Sequence, residues 1–219
     1  MDTKKFNFRD VLQVVQTLIL IVLVVEMTIM FRDSKRIKNM PERRPQGPKK
    51  ISVNLDELTK DSYFMGKKDA KATLVLFNSF SCGYCARARE PIMKLAKKFP
   101  DDLRIVYKHF NRGGMDDLTS QAAECAGEQG KFWEMYNKIF DKGMRGDPGA
   151  YAKELGLNAR KFNECVSTDR YKSKTGKDTN DGGMLGVRGT PSFILNDRLI
   201  PGYMPYEVFE QMVESELKK

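Results

Sequence analysis

The stretch that decides the fold is residues 71–98, which read KATLVLFNSFSCGYCARAREPIMKLAKK. Its first part, Lys71–Phe80, is a compact apolar run with β-branched and aromatic side chains, and it predicts a buried central strand. Its last part carries apolar residues at helical spacing and predicts a helix. Cys82 and Cys85 stand between the two, so a C-x-x-C pair is expected at the start of a helix.

The segments downstream extend this unit into an α/β domain. Residues 103–110 predict a second strand, and strand–helix–strand predicts a right-handed parallel unit. Pro191–Leu195 and Arg198–Pro201 predict two short paired strands, and residues 205–217 predict a closing helix. Between them, residues of about 115–185 predict a helical insertion, with helices at 118–128, 131–140, 149–155 and 159–166.

The spacing of Cys82 and Cys85 predicts thiol chemistry. The start of a helix leaves backbone N–H groups unpaired and carries a partial positive charge. Because this environment stabilises a thiolate, the pKa of Cys82 should be lowered. We therefore expect Cys82 to be the exposed nucleophile that attacks a substrate disulfide, and Cys85, one turn further in, to resolve the mixed disulfide.

Metal binding is the competing interpretation of the same pair. In that case the protein would be a tethered metal-binding or docking module that uses the same surface groove around Cys82 and Cys85 without redox turnover. A zinc site usually takes four ligands in two close pairs. Here Cys125 and Cys165 lie 40 residues apart and His109 is the single histidine. The strand–C-x-x-C–helix context favours redox chemistry, for which we expect no cofactor and no metal. A purely structural cysteine pair is the third possibility.

A Thr190-Pro191 dipeptide precedes the predicted strand near the C-terminal end, about 105 residues after the cysteines. Taken alone, Thr-Pro before a strand indicates only a turn. Beside a strand–C-x-x-C–helix unit it predicts a cis proline, whose neighbouring backbone groups can pair with an extended peptide next to the reactive sulfur.

These features resemble the DsbA-like branch of the thioredoxin superfamily, in its thioredoxin-4 form. The resemblance covers about 150 residues, from about Gly66 to the end. It implies an α/β thioredoxin fold with a helical insertion, and thiol–disulfide oxidoreductase activity on protein substrates outside the cytoplasm, with a further redox partner that recycles the thiols. The matching stretches are ATLVLFNSFSCGYCARA, AAECAGEQGKFWEMY, YAKELGL and LGVRGTPSFILNDRLIPGYMPYEVFE.

By position, the resemblance makes Cys82 the nucleophile and Cys85 the resolving thiol, and it places substrate binding at Thr190 and Pro191. The pair Gly83 and Tyr84 adds to the expected substrate surface. Together with Thr-Pro, this dipeptide is similar to that of the periplasmic isomerase and reductase branch, so oxidase action does not follow from the resemblance, and oxidation, reduction and isomerisation are not separated.

One position departs from the family. Many relatives carry a buried acid on the central strand, six residues before the first cysteine, and Leu76 stands there in this chain. The resemblance also implies a structural disulfide between Cys125 and Cys165, because an anchored oxidoreductase of this type would face an oxidising compartment. Two buried free thiols are the alternative.

The N-terminal region predicts a membrane anchor. Residues 1–10 form a basic flank, 11–31 an apolar helix of roughly 31 Å that is long enough to span a bilayer, and 32–50 a polar basic tether with three prolines. Residues 51–219 form the catalytic domain. No small-residue cleavage site follows the apolar run, so an uncleaved single-pass anchor is expected.

The formal net charge of +9 lies mainly in front of the domain: residues 1–50 hold eleven basic and five acidic side chains. The domain itself is close to charge-balanced and lacks a basic stripe, which excludes nucleic acid as an expected partner.

Three Lys or Arg residues precede the apolar helix and eight follow it within twenty residues. That distribution predicts that the domain lies in the cytoplasm. The resemblance implies the opposite, a domain on the periplasmic face of the inner or cytoplasmic membrane. The tether's basic residues either contact anionic head groups or belong to a plain linker.

The apolar helix also carries a heptad pattern, which predicts that the anchor self-associates into a homo-oligomer. Because most neighbouring residues are apolar too, the pattern can equally arise by chance. The positions are Val11, Val15, Leu18, Val22, Val25 and Ile29.

Overall fold

The structure is a computed structural model that describes residues 8–38, 47–143 and 146–219. The chain divides into two compact units, Met1–Arg44 and Pro45–Lys219. The described part of the first unit is one helix, α1 (Phe8–Lys38), whose stretch Leu12–Arg32 is long and apolar enough to cross a membrane. The predicted single N-terminal hydrophobic helix is thus confirmed.

Helix α1 continues past the predicted end of the anchor at Phe31, so the first part of the predicted tether is helical. Residues 39–46 of that tether and residues 1–7 of the basic flank lie outside the described residues. The last two residues of the predicted tether, Lys49 and Lys50, pair with the sheet of the second unit, so that unit begins before the predicted start at residue 51. Of the heptad positions, those from Val15 to Ile29 are exposed on this helix, and the side chain of Val11 is outside the described part. Self-association of the anchor stays a prediction.

The second unit is built on a six-stranded mixed sheet in the order β1-β6-β5-β3-β4-β2. The central strands β3 and β4 are parallel, and the other neighbouring pairs are antiparallel. The strands are β1 (Lys49–Lys50), β2 (Phe64–Met65), β3 (Ala72–Asn78), β4 (Leu103–His109), β5 (Ser192–Leu195) and β6 (Arg198–Pro201).

Eight helices of the described chain surround this sheet, and five of them, α4–α8, form the predicted insertion between β4 and β5. Each of the four predicted insertion helices is present, with ends shifted by a few residues. The helices are α2 (Leu55–Thr59), α3 (Gly83–Lys98), α4 (Met115–Gly127), α5 (Phe132–Lys142), α6 (Pro148–Glu154), α7 (Ala159–Ser167), α8 (Lys172–Met184) and α9 (Tyr206–Leu217).

Strand β3 is buried on both faces because helices cover both sides of the sheet. Leu74 and Leu76 point into the larger core, which α3, α9 and the insertion helices complete. Val75 and Phe77 point into a smaller core on the opposite face. A continuous apolar run is what a central strand covered on both sides requires, and the arrangement is the predicted thioredoxin fold with a helical insertion.

Helix α8 is the main element that the sequence does not predict. Its residues, KSKTGKDTNDGGM, are polar and include three glycines, so no apolar stripe marks it. Charged side chains hold it against β4 and α4: Lys108 of β4 forms a buried ion pair with Asp178, and Lys174 bonds Glu124 of α4 at 2.7 Å. Glu124 also bonds His109 at 2.9 Å. These contacts fix the insertion to the sheet.

Candidate active site: a thiol pair at a helix start

The two cysteines stand where β3 gives way to α3. Cys82 is the N-cap residue of α3, with extended backbone angles, and its carbonyl accepts the first hydrogen bonds of the helix, from Cys85 N at 3.0 Å and Ala86 N at 3.2 Å. Both cysteines are free thiols. Cys82 is partly exposed and Cys85 is fully buried behind it, so external groups can reach the first sulfur only.

The sheet topology brings the Thr-Pro element to the same place. The Thr190–Pro191 peptide bond is cis and immediately precedes β5. Because β5 pairs antiparallel with β3, its beginning lies next to the end of β3, from which Cys82 follows. The Cys82 thiol donates a hydrogen bond to the Thr190 carbonyl, with 3.1 Å between sulfur and oxygen.

The surroundings of Cys82 lower its pKa below that of an ordinary cysteine. Partial burial acts in the opposite direction, but donors on Thr190, on Cys85 and on the backbone of Tyr84 favour the thiolate and outweigh it. The Thr190 hydroxyl has no hydrogen-bond partner within the described residues. In the thiol, the sulfur's proton is used in the hydrogen bond to the Thr190 carbonyl. Once that proton is lost, the Thr190 hydroxyl is free to donate a hydrogen bond to the thiolate sulfur.

Cys85 has the opposite environment. Burial raises its pKa far above the usual cysteine range, and a nearby Cys82 thiolate raises it further, against hydrogen bonds from Ser79 and Thr190. Leu76, which occupies the position of the family's buried acid, is itself fully buried in apolar surroundings. The two thiols one turn apart thus have pKa values displaced in opposite directions.

A residue that the sequence does not single out, Asp116, holds the loop that leads to Cys82. Its carboxylate is buried and accepts hydrogen bonds from Phe80 N at 2.9 Å, Ser81 N at 3.3 Å and Ser79 Oγ at 2.7 Å. The only sequence signal is an acid in the first turn of α4, which is common at helix starts and indicates no particular site.

The predicted dipeptide between the cysteines lies on the surface. Tyr84 is 59% exposed, and the Arg87 guanidinium is 5.4 Å from the centre of its ring. A Cβ atom placed on Gly83 would meet no atom within 4 Å. An approaching chain therefore has open space on the helix side of Cys82.

The other two cysteines form a disulfide that links α4 to α7 inside the insertion. Cys125 and Cys165 are both fully buried, with Cα atoms 5.8 Å apart. This pair is separate from the free thiols Cys82 and Cys85. Within residues 8–38, 47–143 and 146–219, no group of three or more His, Cys, Asp or Glu side chains is arranged to hold a metal ion.

Comparison with known proteins agrees with this architecture. A family model described as thioredoxin, Thioredoxin_4, matches residues 58–215. A curated relative, the Na(+)/H(+) antiporter NhaA 1 of Salinispora arenicola, is 29% identical over 156 residues, which cover 68% of this chain and 24% of the relative. The chain thus spans about a quarter of the length of the curated relatives it matches.

Two solved structures share the fold. A thioredoxin-like oxidoreductase from Silicibacter pomeroyi is 25% identical with a TM-score of 0.66, covering 76% of this chain and 99% of that one. Oxidised BdbD from Bacillus subtilis is 22% identical with a TM-score of 0.68, covering 80% of this chain and all of that one. This chain therefore belongs to the Thioredoxin_4 family, the DsbA-like form of the thioredoxin fold, with an apolar N-terminal helix in front of it.

Proposed function

We propose that this chain is a membrane-anchored thiol–disulfide oxidoreductase that exchanges disulfides with protein substrates through Cys82 and Cys85. One observation carries the proposal. A partly exposed thiol of lowered pKa, on the N-cap residue of a helix, lies 3.1 Å from the Thr190 carbonyl, and a buried thiol of raised pKa lies one turn behind it. Because the thiolate is the nucleophile, this asymmetry favours Cys82 for attack and Cys85 for resolution.

The proposed reaction transfers two electrons from the dithiol to a substrate disulfide. The Cys82 thiolate attacks one substrate sulfur, a Cys82–substrate bond forms, and the other substrate sulfur leaves as a thiolate that takes up a proton. Cys85 then loses its proton and attacks the Cys82 sulfur. This step forms the Cys82–Cys85 disulfide and releases the second substrate thiol. The reverse sequence oxidises a substrate dithiol.

Thr190 and Pro191 would orient the substrate in this scheme. An extended substrate segment can pair with backbone at the start of β5, in the manner of strand addition, and thereby bring its cysteine to the Cys82 sulfur. Gly83 and Tyr84 leave room for that segment on the other side. A second redox protein would return the thiol pair to its working state.

The proposed location is the extracytoplasmic face of a membrane, with α1 as the anchor. The buried Cys125–Cys165 disulfide supports it, because such bonds persist in oxidising compartments. The excess of Lys and Arg after the apolar stretch argues for the opposite orientation. We give the disulfide more weight, since a cytoplasmic domain would be kept reduced.

Single-cysteine replacements test the activity. We expect Cys82→Ser to reduce insulin disulfides no faster than the uncatalysed reaction. We expect Cys85→Ser to keep the nucleophile but to accumulate a covalent complex with the substrate, visible on a non-reducing gel. Unchanged insulin reduction by the Cys82→Ser protein would rule the proposal out.

A further inference from the structure

A pocket of about 320 Å³ opens beside the cis Thr190–Pro191 bond. Its wall therefore includes the residue whose carbonyl contacts the Cys82 sulfur. Apolar side chains, among them Ile51 and Leu199, form part of the wall. Thr190 thus links the pocket to the reactive sulfur, since it contributes to the wall of one and contacts the other.

Three exposed cations line the pocket: Lys49 from β1, Arg112 from the loop after β4, and Arg188 from the loop before the Thr-Pro element. None of the residues lining it is acidic. Within the described part of the chain, none of the three forms an ion pair. Arg188 donates only to backbone carbonyls, those of Gly183 at 2.8 Å and Val187 at 3.1 Å, which leave its charge uncompensated.

The acidic side chains nearby are engaged elsewhere. Asp116 is buried beneath the loop, where its carboxylate accepts the backbone N–H of Arg112 at 3.0 Å as well as those of the active-site loop. Asp117 bonds Asn111 at 2.9 Å, and Asp181 bonds Lys177 at 2.8 Å. The pocket therefore presents positive charge to the solvent, although the domain as a whole is nearly charge-balanced.

We propose that this pocket binds an acidic side chain close to the reacting cysteine of the substrate, so that the protein prefers protein segments in which Asp or Glu flanks that cysteine. The inference rests on the proposed function and specifies its substrate class. Opposite charges across an interface speed encounter and set register.

The test uses the full chain, reduced, in a non-ionic detergent. Short peptides carry one central cysteine as a mixed disulfide with neutral 2-thiopyridine, flanked by two Glu, two Gln or two Lys residues. The released thiopyridone gives the second-order rate constant. At low salt we expect the Glu peptide to react roughly threefold to tenfold faster than the Gln peptide, and the Lys peptide to react more slowly than both. The preference should shrink in about 1 M salt, where the screening length is about 3 Å.

Variants assign the preference to the pocket. Arg112→Gln with Arg188→Gln should bring the Glu-to-Gln rate ratio close to one, and Arg112→Lys with Arg188→Lys should keep a ratio above one. Arg160→Gln with Lys161→Gln removes the same charge from exposed positions on α7 and should leave the ratio unchanged.

Equal rates for the three peptides at low salt would overturn the inference, and so would a ratio that Arg112→Gln with Arg188→Gln leaves intact. A small neutral activated disulfide, di(2-pyridyl) disulfide, which any accessible thiolate can attack, distinguishes the proposed function from the proposed substrate class. If it fails to react with the reduced protein, the proposed function itself fails. If it reacts while the peptides show no charge preference, only the substrate class is wrong.

Discussion

At the scale of single residues, the site depends on two identical side chains in different surroundings. Cys82 caps the helix and meets hydrogen-bond donors that favour its thiolate, whereas Cys85, three positions on, is closed in by the core. Desolvation disfavours the charged form of a thiol, and donors favour it. The different roles proposed for the two thiols, nucleophile and resolving thiol, follow from their positions at the two ends of one helical turn.

The first prediction concerns the pH dependence of alkylation at these sulfurs. Because only the thiolate reacts and the pKa of Cys82 is lowered, its labelling by iodoacetamide should rise with pH to a midpoint below that of free cysteine. Cys85, with its raised pKa, should stay unlabelled through that range. Mass spectrometry of the reduced protein identifies the site, and a Cys82 midpoint above that of free cysteine would contradict the prediction.

The second prediction concerns Asp116, whose carboxylate holds three donors of the loop before Cys82. Asp116→Asn replaces one acceptor oxygen with an amide that cannot accept, so we expect a loss of about 1–3 kcal/mol in the free energy of unfolding. The loosened loop should also change the alkylation rate of Cys82. Urea unfolding and the labelling assay measure the two effects.

Asp117→Asn is the matched control for that substitution. Asp117 lies in the same helical turn, is only partly buried and accepts a hydrogen bond from Asn111. Its replacement should cost less than about 1 kcal/mol and leave Cys82 labelling unchanged. Equal effects at both positions would mean that Asp116 has no special hold on the loop.

At the scale of elements, α8 shows how a helix without an apolar stripe can be part of the fold. Its inner face is made of Thr175, Asp178 and Gly182, all buried. Asp178 pairs with Lys108 of β4, and Gly182 lets the helix backbone approach the ring of Phe77 on β3. Small size and charge pairing thus replace apolar burial as the reason for this packing.

The third prediction compares two glycines of α8. A Cβ atom at Gly182 would lie 2.8 Å from the ring of Phe77 and 3.0 Å from that of Phe110, which are packed in the core. Gly182→Ala should therefore lower the free energy of unfolding by about 1–3 kcal/mol. At Gly176 the same change meets nothing within 4 Å, and alanine's better helix propensity should give up to about 1 kcal/mol of added stability. Thermal unfolding distinguishes them, and a stabilising Gly182→Ala would show that α8 does not pack this closely.

At the scale of the whole molecule, two kinds of contact hold the helical insertion in place. The insertion is held internally by the Cys125–Cys165 disulfide and to the sheet by the buried charges around Glu124. Burial raises the pKa of Glu124, but His109 and Lys174 outweigh burial and lower it. Its carboxylate therefore stabilises the fold at neutral pH, and this contribution is lost as the pH falls through the lowered pKa.

The fourth prediction concerns the disulfide and the location of the domain. In cells, a membrane-impermeant maleimide should label Cys82 in the reduced protein from outside, while Cys125 and Cys165 become reactive only after reduction and unfolding. Replacing both with alanine should cost about 2–4 kcal/mol, since the bond closes a loop across 40 residues. If Cys125 and Cys165 react without reductant in the unfolded protein from intact cells, the disulfide is wrong, and if Cys82 is not labelled from outside, the extracytoplasmic location is wrong.

The sequence alone predicts the features that depend on neighbours along the chain. An apolar run followed by C-x-x-C and a helical pattern predicts β3, the thiols and α3, and apolar spacing predicts four insertion helices. The length of the apolar N-terminal run likewise predicts α1. Each of these patterns is local, because periodicity and capping involve residues only a few positions apart.

Only the tertiary structure decides what depends on residues far apart in the chain. The sequence predicts Thr190 and Pro191 beside Cys82, but only the structure gives the 3.1 Å contact between the Cys82 sulfur and the Thr190 carbonyl. The structure also places Asp116 of the insertion under the active-site loop and gathers Lys49, Arg112 and Arg188 around one pocket. It also buries the polar helix α8. Short-range sequence patterns do not predict these contacts. The folded chain determines which groups lie within a few ångströms of each other, and those groups set the pKa of a thiol, the pairing of a buried charge and the net charge around a pocket.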